Sequence, residues 1–347
     1  MGILDRFLKR SGFLGLDLGS YSLKLAEAQQ SGSSIVITNF GQIRLPEGVV
    51  NVGIVQNEQV FLNSLNTLLS NFSPRFKLVN LGLYAYTTFY ERVPLTLSEG
   101  QDFQEAVVSE IETFIPFDME DIYYDYVPFL PSGEEQMSII FATTQKEYIN
   151  GLINLFSKSP LEINAIDVDV FALSNLWEYL YGPAKRLIVD IGYTRSLAAF
   201  IDEYGPIFSR EIDLGTSWIT TNLMQNLDLS REEAERLSMN IPEDEKGYAV
   251  KEVYSEFFRN FLEELENSLE IFKAKFYTPP QEVYFIGGGA LVPNLDRFFK
   301  ENLKLDVRIH SFKDRLSFSS DFDENYIELI NKIGAFAIAQ AIREFIG

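Results

Sequence analysis

One pattern occurs twice in this chain and constrains its fold more than any other feature. Near residue 14 the sequence reads LGLDLGSYSLK, and near residue 187 it reads LIVDIGYTRSL. Each copy has an apolar strand, an Asp-x-Gly turn, a second strand, a glycine-centred turn and a third strand. Three pairs of residues coincide when the copies are aligned: Asp17 with Asp190, Gly19 with Gly192, and Gly32 with Gly205. Short β motifs also recur by chance, but this shared register favours two related halves, each opening with a hairpin-rich sheet.

The Asp-x-Gly turns are suited to hold a phosphate and a metal ion. Glycine has no Cβ, so a phosphate can approach the backbone, and turn amides that point inward form an anion cradle. Asp17 and Asp190 would repel a phosphate directly, but each can hold a hydrated Mg²⁺ that bridges to it. Two such loops that face each other predict a phosphate-binding cleft between the halves.

A third glycine-rich loop fits the same cleft. Gly287, Gly288 and Gly289 follow the apolar strand VYFI and precede a helix. Such a loop lets a flat ligand or a phosphate lie on the backbone at a helix N-terminus, although a tight strand-to-helix turn would have the same sequence. Together with the two Asp-x-Gly loops, it favours a nucleotide.

The composition argues against several other kinds of protein. The chain has 50 acidic and 29 basic residues among 347, and the formal charge of −21 disfavours binding to nucleic acid. It has no cysteine and a single histidine, His310, which we expect on the surface of the strand-like stretch DVRIHSF. The length predicts two or more domains. No apolar run is long enough to span a membrane and no signal peptide is visible, so we expect a cytoplasmic protein.

The loops resemble those of the actin-like ATPase superfamily, which includes actin, MreB, FtsA, sugar kinases and heat-shock chaperones. Within it, the chain is most similar, over nearly its whole length, to the PilM family of the type IV pilus inner-membrane platform. The cytoplasmic part of GspL is a weaker match. The similarity lies in GLDLGSYSLKLAE, RLPEGVVNVGIVQN, INAIDVDVFAL, VDIGYTRSLAAF, SREIDLG and FIGGGALVPNL. IPFDMEDIYYDY, at residues 115–126, is the most specific stretch, because sugar kinases and chaperones lack it.

The resemblance implies an α/β protein with the actin-like ATPase fold. Two related halves, each an RNase H-like β-sheet domain, would surround a nucleotide cleft, and an FtsA-type subdomain, called 1C, would be inserted in the first half. The implied boundaries are 1–11 for an amphipathic N-terminal segment, 12–90 and 163–184 for subdomain 1A, 91–162 for 1C, 185–227 and 281–347 for 2A, and 228–280 for the helical lid 2B.

The resemblance also assigns residues that bind ATP and Mg²⁺. The first phosphate loop would consist of Gly19, Ser20, Ser22 and Lys24, and the second of Gly192, Tyr193 and Thr194. Gly215 would lie near the phosphates, Gly287, Gly288 and Gly289 would flank the adenosine, and Asp17 and Asp190 would be on the metal side. Glu235 matches a glutamate that contacts the ribose, but Ser238 stands where the superfamily has a lysine, which is expected to lower nucleotide affinity.

Catalysis needs a group that orients the attacking water. The stretch IDVDVFAL offers Asp167 and Asp169, and Asp169 is the candidate. Capping of the apolar helix that follows is the alternative that we favour for both aspartates. We therefore expect slow ATP hydrolysis at most.

The inserted segment is predicted to contain a helix, two paired strands and a second helix. The first helix lies in SEGQDFQEAVVSEIETFIPF, with Ser98 as its cap and Pro116 at its end. The strands are DIYYDYVPFL and QMSIIFATT, and the second helix is KEYINGLINLFSKS.

Residues 1–10, MGILDRFLKR, form a basic amphipathic stretch. It suggests a segment that binds the membrane surface or a helix that binds a partner, with a frayed tail as the alternative.

The function implied by the resemblance is that of an ATP-binding adaptor under the inner membrane. It would bind the cytoplasmic N-terminus of a PilN-like membrane protein in a groove between 1A and 1C, lined by residues 83–95 and 115–126. Further partners would be PilO-, PilC-, PilB- and PilT-like platform and motor proteins. The alternatives are an FtsA-like, filament-forming division protein and a small-molecule kinase on the same fold.

Overall fold

A computed structural model describes residues 12–346 of the chain. The prediction for residues 1–10 therefore lies outside the described residues. Within residues 12–346, no helix is long and apolar enough to cross a membrane.

The first half is built on a six-stranded sheet with the order β10-β6-β1-β2-β3-β16. Its strands are β1 (Gly12–Leu18), β2 (Ser22–Ser31), β3 (Ser34–Arg44), β6 (Leu78–Leu83), β10 (Glu162–Val168) and β16 (Ser317–Phe318). The first three strands form an antiparallel meander, and β6 joins β1 in parallel. A short ribbon, β4 (Val50–Asn51) and β5 (Ile54–Val55), precedes helix α1 (Glu58–Phe72), whose apolar face packs on this sheet.

The second half repeats this topology in a five-stranded sheet with the order β13-β12-β11-β14-β15. Its strands are β11 (Arg186–Ile191), β12 (Ser196–Asp202), β13 (Gly205–Ile212), β14 (Glu282–Ile286) and β15 (Asp306–Arg308). Again three antiparallel strands are joined by a parallel one. The two aligned turn glycines, Gly32 and Gly205, have φ values of +65° and +109°, which L side chains rarely adopt. The prediction of two related halves is confirmed.

Two helices lie between the sheets. They are α4 (Asp169–Tyr181) and α10 (Ala335–Ile346), and they share one apolar core with strands of both halves. Trp177 of α4 is fully buried in this core. Helix α10 approaches β1 closely at Gly15, where a Cβ would lie only 2.1 Å from the carbonyl oxygen of Ala337. This close packing of the C-terminal helix on the sheet is what its composition indicates.

Among the described residues, five further helices pack on the second sheet or in the core between the two sheets. They are α5 (Ser217–Leu227), α6 (Arg231–Met239), α7 (Glu245–Phe276), α8 (Leu295–Asn302) and α9 (Glu324–Ile333). The long helix α7 buries Phe257, Phe261 and Phe272 against the sheet. The capping box of α6, in which Ser230 and Glu233 bond reciprocally, fixes the start of the helix that carries Glu235.

The inserted segment forms a sheet of three strands rather than the expected pair. The order is β7-β9-β8, with β7 (Thr88–Pro94), β8 (Ile122–Phe129) and β9 (Ser138–Gln145). Helix α2 (Phe103–Glu112) packs on one face of this sheet, and helix α3 (Lys146–Phe156) buries its apolar side chains in the core of the six-stranded sheet. Ser98 was the wrong cap for α2: Asp102 accepts hydrogen bonds from the backbone N–H groups of Gln104 and Glu105, and the helix ends before Pro116.

The prediction of a surface position for His310 is wrong. Strand β15 ends at Arg308, and the chain then turns inward, so that the His310 ring packs between Trp177 and Phe312. Its Nε2 contacts the carbonyl oxygen of Asn331. Burial lowers the pKa of His310 to about 4, which keeps the ring neutral at physiological pH.

Candidate functional site

A cavity of about 560 Å³ opens between the two halves. Thirteen of the predicted site residues line it: Asp17, Gly19, Ser20, Ser22, Lys24, Asp169, Asp190, Gly192, Tyr193, Thr194, Glu235, Gly287 and Gly288. They come from the ends of β1 and β11 and the turns that follow, the start of β2, the start of α4, the middle of α6 and the loop after β14. The repeated hairpins place both Asp-x-Gly turns at the mouth of one cleft, as their sequence pattern predicts.

The two remaining predicted glycines lie behind the loops rather than in the wall. A Cβ on Gly215 would lie 2.3 Å from the carbonyl oxygen of Tyr193, and one on Gly289 would lie 2.1 Å from Cγ2 of Ile191. Each glycine thus lets another segment pack directly against the second Asp-x-Gly loop or its strand. Their place in the structure is to support those loops.

The first Asp-x-Gly loop and the strand that follows it carry a preformed ion pair. Asp17 and Lys24 are paired across β1 and β2, and Nζ of Lys24 donates to Oδ2 of Asp17 over 2.7 Å. Both side chains are only 14% exposed. An anion that enters the cleft therefore meets a lysine already oriented by a carboxylate.

Asp190, near the end of β11, faces Gly287 in the loop after β14. Gly287 has φ +86° and ψ 177°, a region essentially restricted to glycine, and a Cβ there would lie 2.2 Å from Oδ1 of Asp190. Burial and the nearby carboxylate of Asp17 raise the pKa of Asp190 to about 7, against the opposing effect of Lys24. At pH 7 the Asp190 carboxyl is therefore only about half ionised, and a bound cation would favour its ionised form.

Asp169 lies at the floor of the cleft as the first residue of α4. Burial, followed by the carboxylates of Asp17, Asp167 and Asp190, raises its pKa well above the usual value. The capping interpretation is wrong for both aspartates. The residue at the cap position is Val168, and Asp167 instead pairs with Arg343 over 2.9 Å while it accepts a bond from the backbone N–H of Val168.

The carboxylates fit a magnesium ion only together with a phosphate. Within residues 12–346, no group of three or more His, Cys, Asp or Glu side chains is arranged to hold a metal by itself. Asp17 nevertheless lies close enough to Asp190 to raise the pKa of that carboxyl. Mg²⁺ takes one or two carboxylates, water and phosphate oxygens, so this pair of donors suits it when a nucleotide supplies the rest.

Contacts across the mouth of the cleft were not foreseen from the sequence. Two reciprocal ion pairs, which we call the cleft clasp, join Arg44 to Glu235 over 2.7 Å and Arg231 to Glu47 over 3.0 Å. Between them, the rings of Tyr21 and Tyr193 lie 4.9 Å apart, and the hydroxyls of Ser20 and Thr194 lie 3.1 Å apart. Each half contributes one arginine and one glutamate, three positions apart in the first half and four in the second. Because each ion pair joins residues that are far apart in the chain, this spacing is the sole local signal of the clasp.

The part of the cavity wall formed by α5 and by the loop after β14 is more apolar. Ile219, Leu291, Val292 and Pro293 line it. At the position where the superfamily pattern has lysine, the hydroxyl of Ser238 donates to the carbonyl oxygen of Glu235 over 2.8 Å. The cation that faces Glu235 comes instead from Arg44, on the opposite half.

Two duplicated sheets around a cleft with paired Asp-x-Gly loops define the actin-like ATPase class of proteins. Solved structures of this class share the fold. MreB5 of Spiroplasma citri bound to AMPPNP is 14% identical with a TM-score of 0.52, and covers 91% of this chain and 93% of its own. The ethanolamine utilization protein EutJ of Carboxydothermus hydrogenoformans is 14% identical with a TM-score of 0.54, and covers 94% and 89%.

The match to a pilus protein is closer. A solved structure of a PilM–PilN type IV pilus biogenesis complex has a TM-score of 0.82 at 21% identity, and covers 96% of this chain and 98% of its own. The cell division protein FtsA of Streptococcus pneumoniae is 20% identical over 87% of this chain and 76% of its own length. The family described as type IV pilus assembly protein PilM matches residues 15–345, and the chain belongs to that family.

Proposed function

We propose that this chain is a nucleotide-binding adaptor of the type IV pilus assembly platform. The observation that carries the proposal is a cleft lined by two Asp-x-Gly loops, found in one chain with an unpaired strand edge that exposes apolar side chains on the inserted subdomain. The protein would lie at the cytoplasmic face of the inner membrane and bind the N-terminal segment of a PilN-like membrane protein. The solved structure of a PilM–PilN complex, which shares the fold of this chain, supports that choice of partner.

The proposed ligand of the cleft is ATP with Mg²⁺. Gly19, Ser20, Ser22, Lys24, Gly192, Tyr193 and Thr194 would surround the phosphates, Glu235 the ribose, and Gly287 and Gly288 the adenosine, while Gly215 and Gly289 would support the loops. Bound Mg²⁺ would neutralise phosphate charge, and Asp17 and Asp190 would hold it. Asp169, at the floor of the cleft, would be the group that orients the attacking water, and we propose slow hydrolysis at most.

The proposed partner surface lies on β8 and α3. Among residues 12–346, no strand pairs with the outer edge of β8. Tyr123 and Val127 on β8, and Ile153 on α3, are 44%, 59% and 50% exposed. An extended peptide could pair with the free edge and place apolar side chains among these residues. Of the two aromatic stretches assigned to the groove, residues 115–126 reach this edge, whereas residues 83–95 contain β7 at the opposite edge.

The other assignments from the resemblance remain part of the proposal. They are the subdomain boundaries given above, contacts with PilO-, PilC-, PilB- and PilT-like proteins, and a peripheral membrane contact through residues 1–10. Through these protein contacts, the adaptor would connect the PilN-like membrane protein to the motor proteins.

The test is calorimetric titration of a peptide from the cytoplasmic N-terminus of the PilN-like protein encoded in the same genome. We expect saturable binding by the wild type and at least a tenfold loss for Val127→Asp, because a charge would face the apolar side chains of the peptide. Ile271→Asp is the matched control, since Ile271 is 47% exposed on α7 in the other half. No binding by the wild type, or equal effects of the two variants, would contradict the proposed surface.

The FtsA relative favours a second candidate, a filament-forming protein. Sedimentation of the chain with Mg-ATP, followed by electron microscopy, distinguishes the two. The adaptor proposal predicts that the protein stays in the supernatant, while filaments would favour the FtsA-like function.

A further inference from the structure

Arg92 joins the inserted sheet to the second half, next to a second ion pair between Glu91 and Lys275. From β7, Arg92 donates to both carboxylate oxygens of Asp202, over 2.7 and 2.9 Å. It also donates to the backbone carbonyls of Gly205, over 2.6 Å, and Pro206, over 2.9 Å. The two charged side chains are only 15% and 10% exposed. The guanidinium therefore directs four hydrogen bonds to a single turn, residues 202–206, which we call the β12–β13 turn.

The same turn also reaches the end of β8. The Tyr204 ring stacks on Phe129 with centroids 5.0 Å apart, and its hydroxyl accepts from the backbone N–H of Ser132 over 2.8 Å. Oδ1 of Asp202, which faces Arg92, also accepts from the backbone N–H of Tyr204. One carboxylate thus fixes both the turn and its hold on the inserted sheet.

The β12–β13 turn is rigidly connected to the second phosphate loop. Strand β12 begins at Ser196, directly after that loop, and ends at Asp202. Its first six residues are all buried between neighbouring strands β11 and β13. At about 3.3 Å per residue, this strand spans roughly 20 Å. A displacement of the loop relative to the first half therefore moves the turn as well, because a buried central strand does not deform easily.

Beyond Arg92, the path crosses the inserted sheet to the proposed partner edge. Arg92 is paired with Ile140 on β9, and Ile140 is paired with Val127 on β8. The three residues form one row across three strands, about 10 Å from end to end. Val127 is the exposed apolar residue at the free edge.

We propose that the β12–β13 turn is a mechanical link through which the nucleotide state of the cleft changes the geometry of the β8 edge, and so its affinity for a peptide. This inference rests on the proposed function. The turn moves with the second half, Arg92 and Tyr204 transfer that movement to the inserted sheet, and the row through Ile140 carries it to Val127. By linkage, a peptide on the edge changes nucleotide affinity by the same factor.

Hydrogen–deuterium exchange on the full chain, with and without Mg-ATP, tests the link. In the wild type, we expect nucleotide to change exchange both in the phosphate loops, residues 14–24 and 186–195, and in β8. In Arg92→Ala and in Tyr204→Ala, the loops should still respond while β8 no longer does. Arg297→Ala is the matched control and should behave as the wild type. It removes an exposed ion pair with Glu301 in the second half, the half that carries Tyr204.

Two further measurements keep the test decisive. Arg92→Lys keeps the positive charge but cannot make the bidentate hydrogen bonds of a guanidinium. This variant should therefore fold even if Arg92→Ala does not, and nucleotide should change the exchange of β8 less than in the wild type. In calorimetry, Mg-ATP should change peptide affinity by about fivefold or more in the wild type, and by less than about twofold in Tyr204→Ala.

The outcomes separate this proposal from the one on which it rests. A wild type whose loops respond to Mg-ATP while β8 does not overturns the link alone. An unchanged β8 response in the Arg92 and Tyr204 variants overturns it too. If the loops of the wild type show no response, the nucleotide site fails, and the link fails with it.

Discussion

Replacing Asp190 with asparagine should stabilise the nucleotide-free protein at alkaline pH while it abolishes the response to Mg-ATP. The pKa of Asp190 rises from 3.8 to about 7, first through burial and second through Asp17. The folded protein therefore holds this proton more tightly than the unfolded chain, and the resulting stability is full below pH 3.8 and lost as the pH rises through 7. At about 1.36 kcal/mol per pH unit, ionised Asp190 costs the fold up to about 4 kcal/mol. Partial exposure to the cleft makes that figure an upper limit.

Chemical denaturation at pH 5 and pH 8 measures this effect. Because an asparagine side chain carries no charge, the Asp190→Asn protein should exceed the wild type in free energy of unfolding at pH 8, and by less at pH 5. Asp17→Asn is the matched control, because it leaves Lys24 without its partner at 2.7 Å and should destabilise the protein. A variant less stable than the wild type at pH 8, or an equal difference at both pH values, would refute the reasoning.

Three further predictions concern the loop, the clasp and the core. Gly287→Ala should cost about 1–3 kcal/mol in free energy of unfolding, because φ +86° strains alanine, and should abolish the Mg-ATP thermal shift through its clash with Asp190; an unaltered shift would contradict it. Arg44→Glu should open the cleft and increase proteolysis of the nucleotide-free protein, and Arg44→Glu with Glu235→Arg should restore protection; a double variant as sensitive as the single one would argue against the clasp. Trp177→Ala should cost about 3–5 kcal/mol in urea denaturation, because the ring is fully buried between the sheets, and a loss under about 1 kcal/mol would contradict that role.

Features with a local sequence signal were predictable. The paired Asp-x-Gly turns predicted the duplication because each turn is specified by neighbouring residues. The stretches DIYYDYVPFL and QMSIIFATT were predicted as paired strands, and they form β8 and β9. Nine of the thirteen site residues that line the cleft do so for the same reason, since a repeated hairpin brings equivalent loops to the same end of each sheet. The other four come from elements outside the repeat.

Features that depend on distant packing were not predictable. The strand-like context of His310 gave no sign that Trp177, far away in the chain, would cover its ring. Asp167 looked like a helix cap because its pairing with Arg343 spans 176 positions. The cap of α2 was misplaced for a smaller reason, because Ser98 and Asp102 are both good cap residues and the choice depends on where the loop from β7 ends.

The central claim is that one chain binds a nucleotide between its halves and a peptide on its inserted sheet, and that the two sites are coupled. Calorimetric titration of Mg-ATP, with the protein free and then saturated with the PilN-like peptide, tests this most directly. The account predicts one nucleotide site whose affinity changes when the peptide is bound, and no binding by Asp190→Asn. Peptide binding by a protein that takes up no Mg-ATP in either state would contradict it.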